Sequence, residues 1–130
     1  MGVAENVALV YRFYQLGALN DPARAPMFAP DAVWYVPGNN PVSGAYRGIE
    51  AMTFDMGARM KPLDDWRIKV VDVMGNGDMV VSVTFIIGER RGRKVDMLGG
   101  HLFRFDEEGR IVEAWGFAAD QPALDEFFSA

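Results

Sequence analysis

Lys94-Val95-Asp96-Met97-Leu98-Gly99-Gly100-His101-Leu102-Phe103-Arg104-Phe105, then Asp106-Glu107-Glu108-Gly109, then Arg110-Ile111-Val112-Glu113-Ala114-Trp115-Gly116-Phe117-Ala118, reads as two strands around a tight acidic turn. β-Branched and aromatic residues separated by so short a turn favour an antiparallel hairpin. The same grammar extends upstream. Trp66–Met74 and Met79–Gly88 read as strands, with Gly75-Asn76-Gly77-Asp78 and Arg90-Arg91-Gly92-Arg93 as turns. The strands Trp66–Met74, Met79–Gly88, Lys94–Phe105 and Arg110–Ala118 therefore form a meander in sequence order.

Alternate residues of a strand face opposite sides of the sheet. Pairing Asp106 with Gly109 places Phe103 opposite Val112 and His101 opposite Ala114. One face of the hairpin then carries Met97, Gly99, His101 and Phe103, with Val112, Ala114, Gly116 and Ala118. The other carries Leu98, Leu102 and Arg104, with Ile111, Trp115 and Phe117. Small residues at 99, 114, 116 and 118 leave room on the first face, and that room predicts a pocket. The second face is apolar with nothing left to cover it. Large exposed apolar patches mark interfaces, so a homodimer packed through Leu102, Trp115 and Phe117 is expected.

The helices lie mainly before the meander. Val3 to Leu19 carries the stripe Val3, Val7, Val10, Tyr14 and Gly17, with Leu9, Phe13 and Leu16 beside it. Asn20-Asp21-Pro22 ends this helix and starts a short second one, limited by Pro26 and Pro30. Ala32 to Val36 is a brief strand, followed by a turn-rich loop to Gly48. Ile49 to Met60 reads as a helix with Met52, Met56 and Met60 on one face, and Asp120 caps a final helix. Helices first and a meander after is an α+β pattern: a curved antiparallel sheet wrapped around the N-terminal helices, enclosing a cavity.

Composition narrows the chemistry. The 130 residues carry 13 Lys+Arg against 18 Asp+Glu, a net charge of −5, with half of the residues apolar. One domain, residues 1–130, is expected at this length. There is no cysteine and one histidine, so thiolate chemistry and paired-histidine metal sites are excluded. No metal or cofactor is expected. The acidic balance argues against nucleic acid, and the lack of a long apolar run or basic leader argues against membranes and export. The cytoplasm is the expected compartment.

His101, which alternation sends into the predicted cavity, is the first candidate for acid–base work or for donating to a ligand oxygen. A core histidine bonded to a neighbour is the competing reading. Tyr14 is the candidate partner on the first helix, with Tyr11 competing on an adjacent face. Trp34 and Val36 face inward from the first strand, with Trp34 a flat wall for a ring. Tyr46 is placed to close the mouth. Met52 and Met56, with Met60 and Phe54, form either an adaptable lid or plain core. Thr84 and Ser82 share a strand face and could anchor a ligand, while Met97, Phe103, Ala114 and Gly116 complete the inner face. Asp120 is explained by capping, Asp96 and Asp64-Asp65 by solvent exposure, and Arg90, Arg91, Arg93 and Lys94 by a solvated turn.

The segment from Phe28 to Gly38 (FAPDAVWYVPG), its continuation from Asn40 to Ala51, and the ending His101-Leu102-Phe103-Arg104-Phe105, Gly109-Arg110-Ile111-Val112, Trp115-Gly116-Phe117 and Asp120 resemble SnoaL-like proteins. These belong to the superfamily of nuclear transport factor two and ketosteroid isomerase, and the likeness runs from about Val7 to Phe128. It implies a cystatin-like cone that hosts isomerases, cyclases, hydrolases, dehydratases and non-catalytic modules.

Transfer of catalytic residues is selective. Where ketosteroid isomerases carry an aspartate base, this chain has Val36. Their oxyanion tyrosine falls near Phe13, one residue from Tyr14, and their oxyanion aspartic acid falls at His101. The positions used by limonene-type epoxide hydrolases read Trp34, Val36, Thr84, Ile86 and Phe117. The acid of SnoaL-type cyclases falls near Trp115, with Glu113 the nearest carboxylate. The resemblance implies a cofactor-independent enzyme moving protons on an apolar carbonyl or polyketide-like compound by cyclisation, isomerisation or dehydration, with His101 and Tyr14 at its centre. A non-catalytic ligand-binding or dimerising module of the same fold is the alternative.

Overall fold

The computed structural model describes residues 2–16 and 21–129. Helix α1, Val3–Gln15, buries Asn6, Val10 and Phe13, one side of the expected stripe. The last residues of the expected first helix, Gly17 to Asn20, lie outside the described residues. A 3₁₀ turn, Pro22–Met27, follows, with the Asp21 carboxylate accepting from the Ala23 N–H at 2.9 Å. Strand β1 is Phe28–Val36, longer than the expected Ala32 to Val36. Strand β2, Gly44–Arg47, lies inside what reads as loop in the sequence. Residues 49–60 are helical, but as a π turn, Ala51–Asp55, running into α2, Met56–Met60. Strands β3, Asp65–Asn76, β4, Met79–Arg90, β5, Arg93–Phe105, and β6, Ile111–Ala118, form the meander, and α3, Gln121–Ser129, closes the chain.

All of these strands join one sheet in the order β2-β1-β6-β5-β4-β3. The sheet is antiparallel at every step but one, because β1 lies parallel to β6. It is therefore mixed where the sequence suggested purely antiparallel pairing. Bulges at the β3–β4, β5–β6 and β1–β6 seams add local twist. Helix α1 packs on β3 and β4, and α3 packs on β5 and β6.

The β5–β6 register differs from the sequence expectation by two residues: His101 pairs with Gly116 and Phe103 with Ala114. The turn carries one more residue, since the Asp106 N–H donates to the Arg110 carbonyl, and Val112 bulges out of the ladder. Two insertions restore the alternation beyond the bulge, so Ala114, Gly116 and Ala118 keep the inner face. Ile111 precedes the bulge and pairs with Phe105, so it is buried rather than on the outer face.

The core joins α1, β1, the methionine helix, the sheet and α3 into one apolar cluster. Phe103 is its centre, ringed by Phe13, Tyr14, Trp34 and His101 at centroid distances of 5.7 to 6.3 Å. Arg90 corrects the reading of a solvated basic turn. It is buried, and its Nη1 donates to the Phe127 carbonyl at 3.3 Å in the last turn of α3. Phe54 also departs from its expected place in an apolar lid: it is 62% exposed, while Met52, Met56 and Met60 are buried. The π turn, which widens the helix, puts Met52 and Thr53 together on its inner side.

Candidate functional site

His101 stands mid-strand on β5, between Ser82 of β4 and Gly116 of β6. Tyr14 comes from the last turn of α1, and its hydroxyl lies 2.6 Å from His101 Nδ1 and 2.6 Å from Ser82 Oγ. The His101 backbone N–H donates to the same Ser82 oxygen at 2.9 Å. Alternation explains the meeting: Ser82 and His101 are register partners on the inner face, and Tyr14 is one helical turn beyond the buried Val10.

The distances favour one placement of the protons. N–H donors seldom come closer than about 2.7 Å to their acceptor, whereas hydroxyl donors commonly do. The two 2.6 Å contacts suit Tyr14 O–H donating to Nδ1 and Ser82 O–H donating in turn to the Tyr14 oxygen. The other outlet for the Ser82 proton, the His101 carbonyl, is longer at 3.3 Å. A neutral ring that accepts at Nδ1 carries its proton on Nε2. Burial lowers the His101 pKa from 6.5 to about 4, so the ring is neutral at pH 7. Burial raises the Tyr14 phenol above its usual range, with the Ser82 hydrogen bond opposing, so it keeps its proton as well.

Nε2 makes no hydrogen bond to a described residue. A Cβ at position 116 would sit 3.7 Å from it and 3.3 Å from Pro37 Cδ, so Gly116 keeps the approach to this nitrogen open. Gly99 has no such role, because Ile86 fills the space beside it, within 2.5 Å of where a Cβ would stand. The ring of Trp34 meets His101 edge to face at 4.8 Å and stacks on Phe13 at 5.6 Å.

These groups border a cavity of about 390 Å³, a size that suits a small ligand. Phe13, Phe28 and Trp34 form its aromatic wall and Met52, Met56 and Met60 the wall facing it, while Leu124 and Phe128 of α3 contribute near Trp66. Its polar members among the described residues are Tyr14, Arg24, Thr53, Arg67 and His101, with no Asp or Glu among them. Glu113 is instead ion-paired to Arg104, which it faces across the β5–β6 ladder. Asp120 accepts from the Ala123 N–H at 3.1 Å as a helix cap.

Eight of the residues singled out from the sequence for the site line the cavity: His101, Tyr14, Trp34, Val36, Met52, Met56, Met60 and Gly116. Others do not. Tyr46 is buried behind the wall, its hydroxyl donating to the Val42 carbonyl at 2.6 Å, so it braces the loop that carries Val42 to the cavity. Thr84 is fully buried between Val70 and Gly99, and its Oγ1 has no partner among the described residues. Phe103 and Ala114 are core, and Met97 is half-buried further along β5. Tyr11 is 40% exposed, leaving Tyr14 alone in the polar role.

Arg24, with Thr53 and Arg67, is one of the lining residues that sequence reading missed. Its Nη2 donates to the Leu16 carbonyl at 2.7 Å and the Phe13 carbonyl at 3.4 Å, holding the end of α1, and its guanidinium lies 4.8 Å over the Phe13 ring. Burial lowers its pKa, with nearby Asp21 opposing. Arg24 stands nine residues beyond the end of α1, so no local spacing in the sequence signals the contact. Among the described residues no cluster of side chains could hold a metal ion, and no helix is long and apolar enough to cross a membrane.

Comparisons with known proteins agree with this architecture. An uncharacterized protein of Mycobacterium tuberculosis is 29% identical over 124 residues, covering 93% of this chain and 94% of its own. A Xanthomonas campestris protein of unknown function with a cystatin-like fold superposes with a TM-score of 0.82 at 28% identity, over 96% of this chain and 98% of that one. TerC, co-crystallised with polyporic acid, shares the fold with a TM-score of 0.72 at 16% identity, over 97% and 99% of the two chains. The pattern of the SnoaL-like domain matches residues 10–114. The chain belongs to the SnoaL-like domain family, on the nuclear transport factor two-like fold.

Proposed function

We propose that the cavity binds a small apolar molecule bearing a carbonyl and that His101 Nε2–H donates to its oxygen. Held in this way, the oxygen can take up charge as a proton moves elsewhere on the molecule, which is the requirement of a cofactor-independent isomerisation, cyclisation or dehydration. Tyr14 fixes the tautomer, and Trp34, Val36, Met52, Met56 and Gly116 shape the space. The carrying observation is that His101 lines an apolar cavity with Nδ1 on the Tyr14 hydroxyl at 2.6 Å and Nε2 without a hydrogen-bond partner among the described residues. Co-crystallisation of the fold relative TerC with polyporic acid supports small-molecule binding by this kind of cone.

The test is a melting scan against polycyclic ketones, aromatic polyketides, terpenoid epoxides and steroids, on wild type and His101→Phe. A ligand at one hundred times its dissociation constant adds about 2.7 kcal/mol of apparent stability. The expected result is a shift confined to one carbonyl-bearing class and lost in the variant. For any member that is turned over, His101→Phe lowers kcat by about 10²–10³, the usual loss for one oxyanion donor. A shift that survives in the variant contradicts the role of His101.

The lack of a carboxylate in the lining favours a second reading, a ligand-binding or dimerising module without catalysis. It predicts binding with no turnover.

A homodimer through the outer sheet face belongs to the proposal. Leu98 is 45% exposed and Trp115 stacks on Tyr35 at 5.2 Å beside Leu102, whereas Phe117, expected on this face, lines the cavity. Two-fold pairing of one such face is the commonest assembly. Sedimentation should give a dimer, and Trp115→Glu a monomer with unchanged helix content; a monomeric wild type removes this part.

A further inference from the structure

Among the described residues the lining holds Arg24 and a neutral imidazole N–H donor but no carboxylate, in a chain where acids outnumber bases 18 to 13; its second guanidinium, Arg67, is exposed and ion-paired with Asp65 at 3.0 Å. Around His101 itself the one titratable neighbour is Tyr14, whose proton is committed to Nδ1; the other faces are Trp34, Phe103, Ser82, Gly116 and Pro37. The site thus has donors and no general base of ordinary strength. An unionised carbonyl compound would need its proton removed by something, and the described lining supplies no carboxylate for that step. An enol or phenol that is already ionised needs no base, and its oxygen is a stronger acceptor than a neutral carbonyl. Trp34, stacked on Phe13 at 5.6 Å and edge to face with His101 at 4.8 Å, gives the site an aromatic wall beside the donor. Arg24, behind Phe13, adds positive potential from within the apolar wall, where water screens it weakly.

Resting on the pocket reading above, we infer that the cavity selects planar apolar molecules carrying an ionised enol or phenol oxygen, which accepts from His101 Nε2–H, over their neutral and cationic counterparts. The pocket then acts on the ligand's own acidity: it holds the anion, and the chain contributes the donor.

Three probes of one ring size test this in the wild-type chain by calorimetry: 2-hydroxy-1,4-naphthoquinone, an anion at neutral pH, its neutral 2-methoxy ether, and 1-naphthylmethylamine, a cation. With no cysteine in the chain, quinone alkylation of thiols does not intervene. At pH 7 the hydroxy compound should bind at least about tenfold tighter than the ether, the amine should bind weakest, and His101→Phe, which has no donor, should erase the difference, as expected of a charge-assisted hydrogen bond. The hydroxy compound's affinity should fall on acidification with its own ionisation. Equal binding of hydroxy compound and ether overturns the selectivity while leaving a working apolar pocket. Preferential binding of the amine overturns it through the charge sign. Failure of all three to bind removes the pocket reading and this inference with it.

Discussion

Between pH 6.5 and 4 the folded protein is expected to lose about 3 kcal/mol of stability through His101 alone. Burial lowers the folded-state pKa to about 4, against 6.5 when the chain is unfolded. Within that interval the unfolded chain binds a proton that the folded chain refuses, so stability falls as pH falls. The contribution is fully present above pH 6.5 and gone below pH 4. Two carboxylates with lowered pKa, Asp106 and Asp125, start from 3.8 in the unfolded chain, so their loss comes at lower pH and leaves the window to His101. Urea denaturation at fixed ionic strength measures the slope, and His101→Gln should flatten it. A wild-type slope near zero between pH 6.5 and 4 would mean that the ring titrates as if in water.

Phe103→Ala is expected to cost about 3–5 kcal/mol, the range for deleting a fully buried aromatic ring. Phe103 is 0% exposed and touches four other rings, so the surrounding side chains cannot all move in to fill the gap. Aromatic pairs contribute beyond their buried area, and the substitution removes several together. The same rings hold Trp34 and Tyr14 at the cavity, so ligand binding should weaken along with stability. The denaturation midpoint should drop with its slope unchanged; a loss under about 1 kcal/mol would show that Phe103 is peripheral to the core.

The fold was legible because alternation tolerates an even error. The turn at Asp106–Arg110 and the bulge at Val112 each insert one residue, and two insertions return Ala114 and Gly116 to the face that alternation assigns them. Ile111, which precedes the bulge, shows what one insertion does: its side chain crosses to the other face. The short β2 was hidden because four residues led by a glycine give no period to read. The site was partly legible. His101 and Tyr14 follow from period and residue type. Ser82 was within reach, since pairing Arg90 with Arg93 across a two-residue turn carries an unbroken register to Ser82 opposite His101. Arg24 and Arg90 were not, because a cation that bonds helix-end carbonyls and one that sits in water look alike in sequence.

The central claim is a neutral His101 with its proton on Nε2, held by Tyr14 and facing the cavity. The chain has one histidine, so a nitrogen-15 NMR titration of histidine-labelled protein reports on this ring alone. The account predicts a single Nε2–H tautomer at pH 7 and no protonation until the pH approaches 4. A midpoint near 6.5, or a Nδ1–H tautomer at neutral pH, would contradict it.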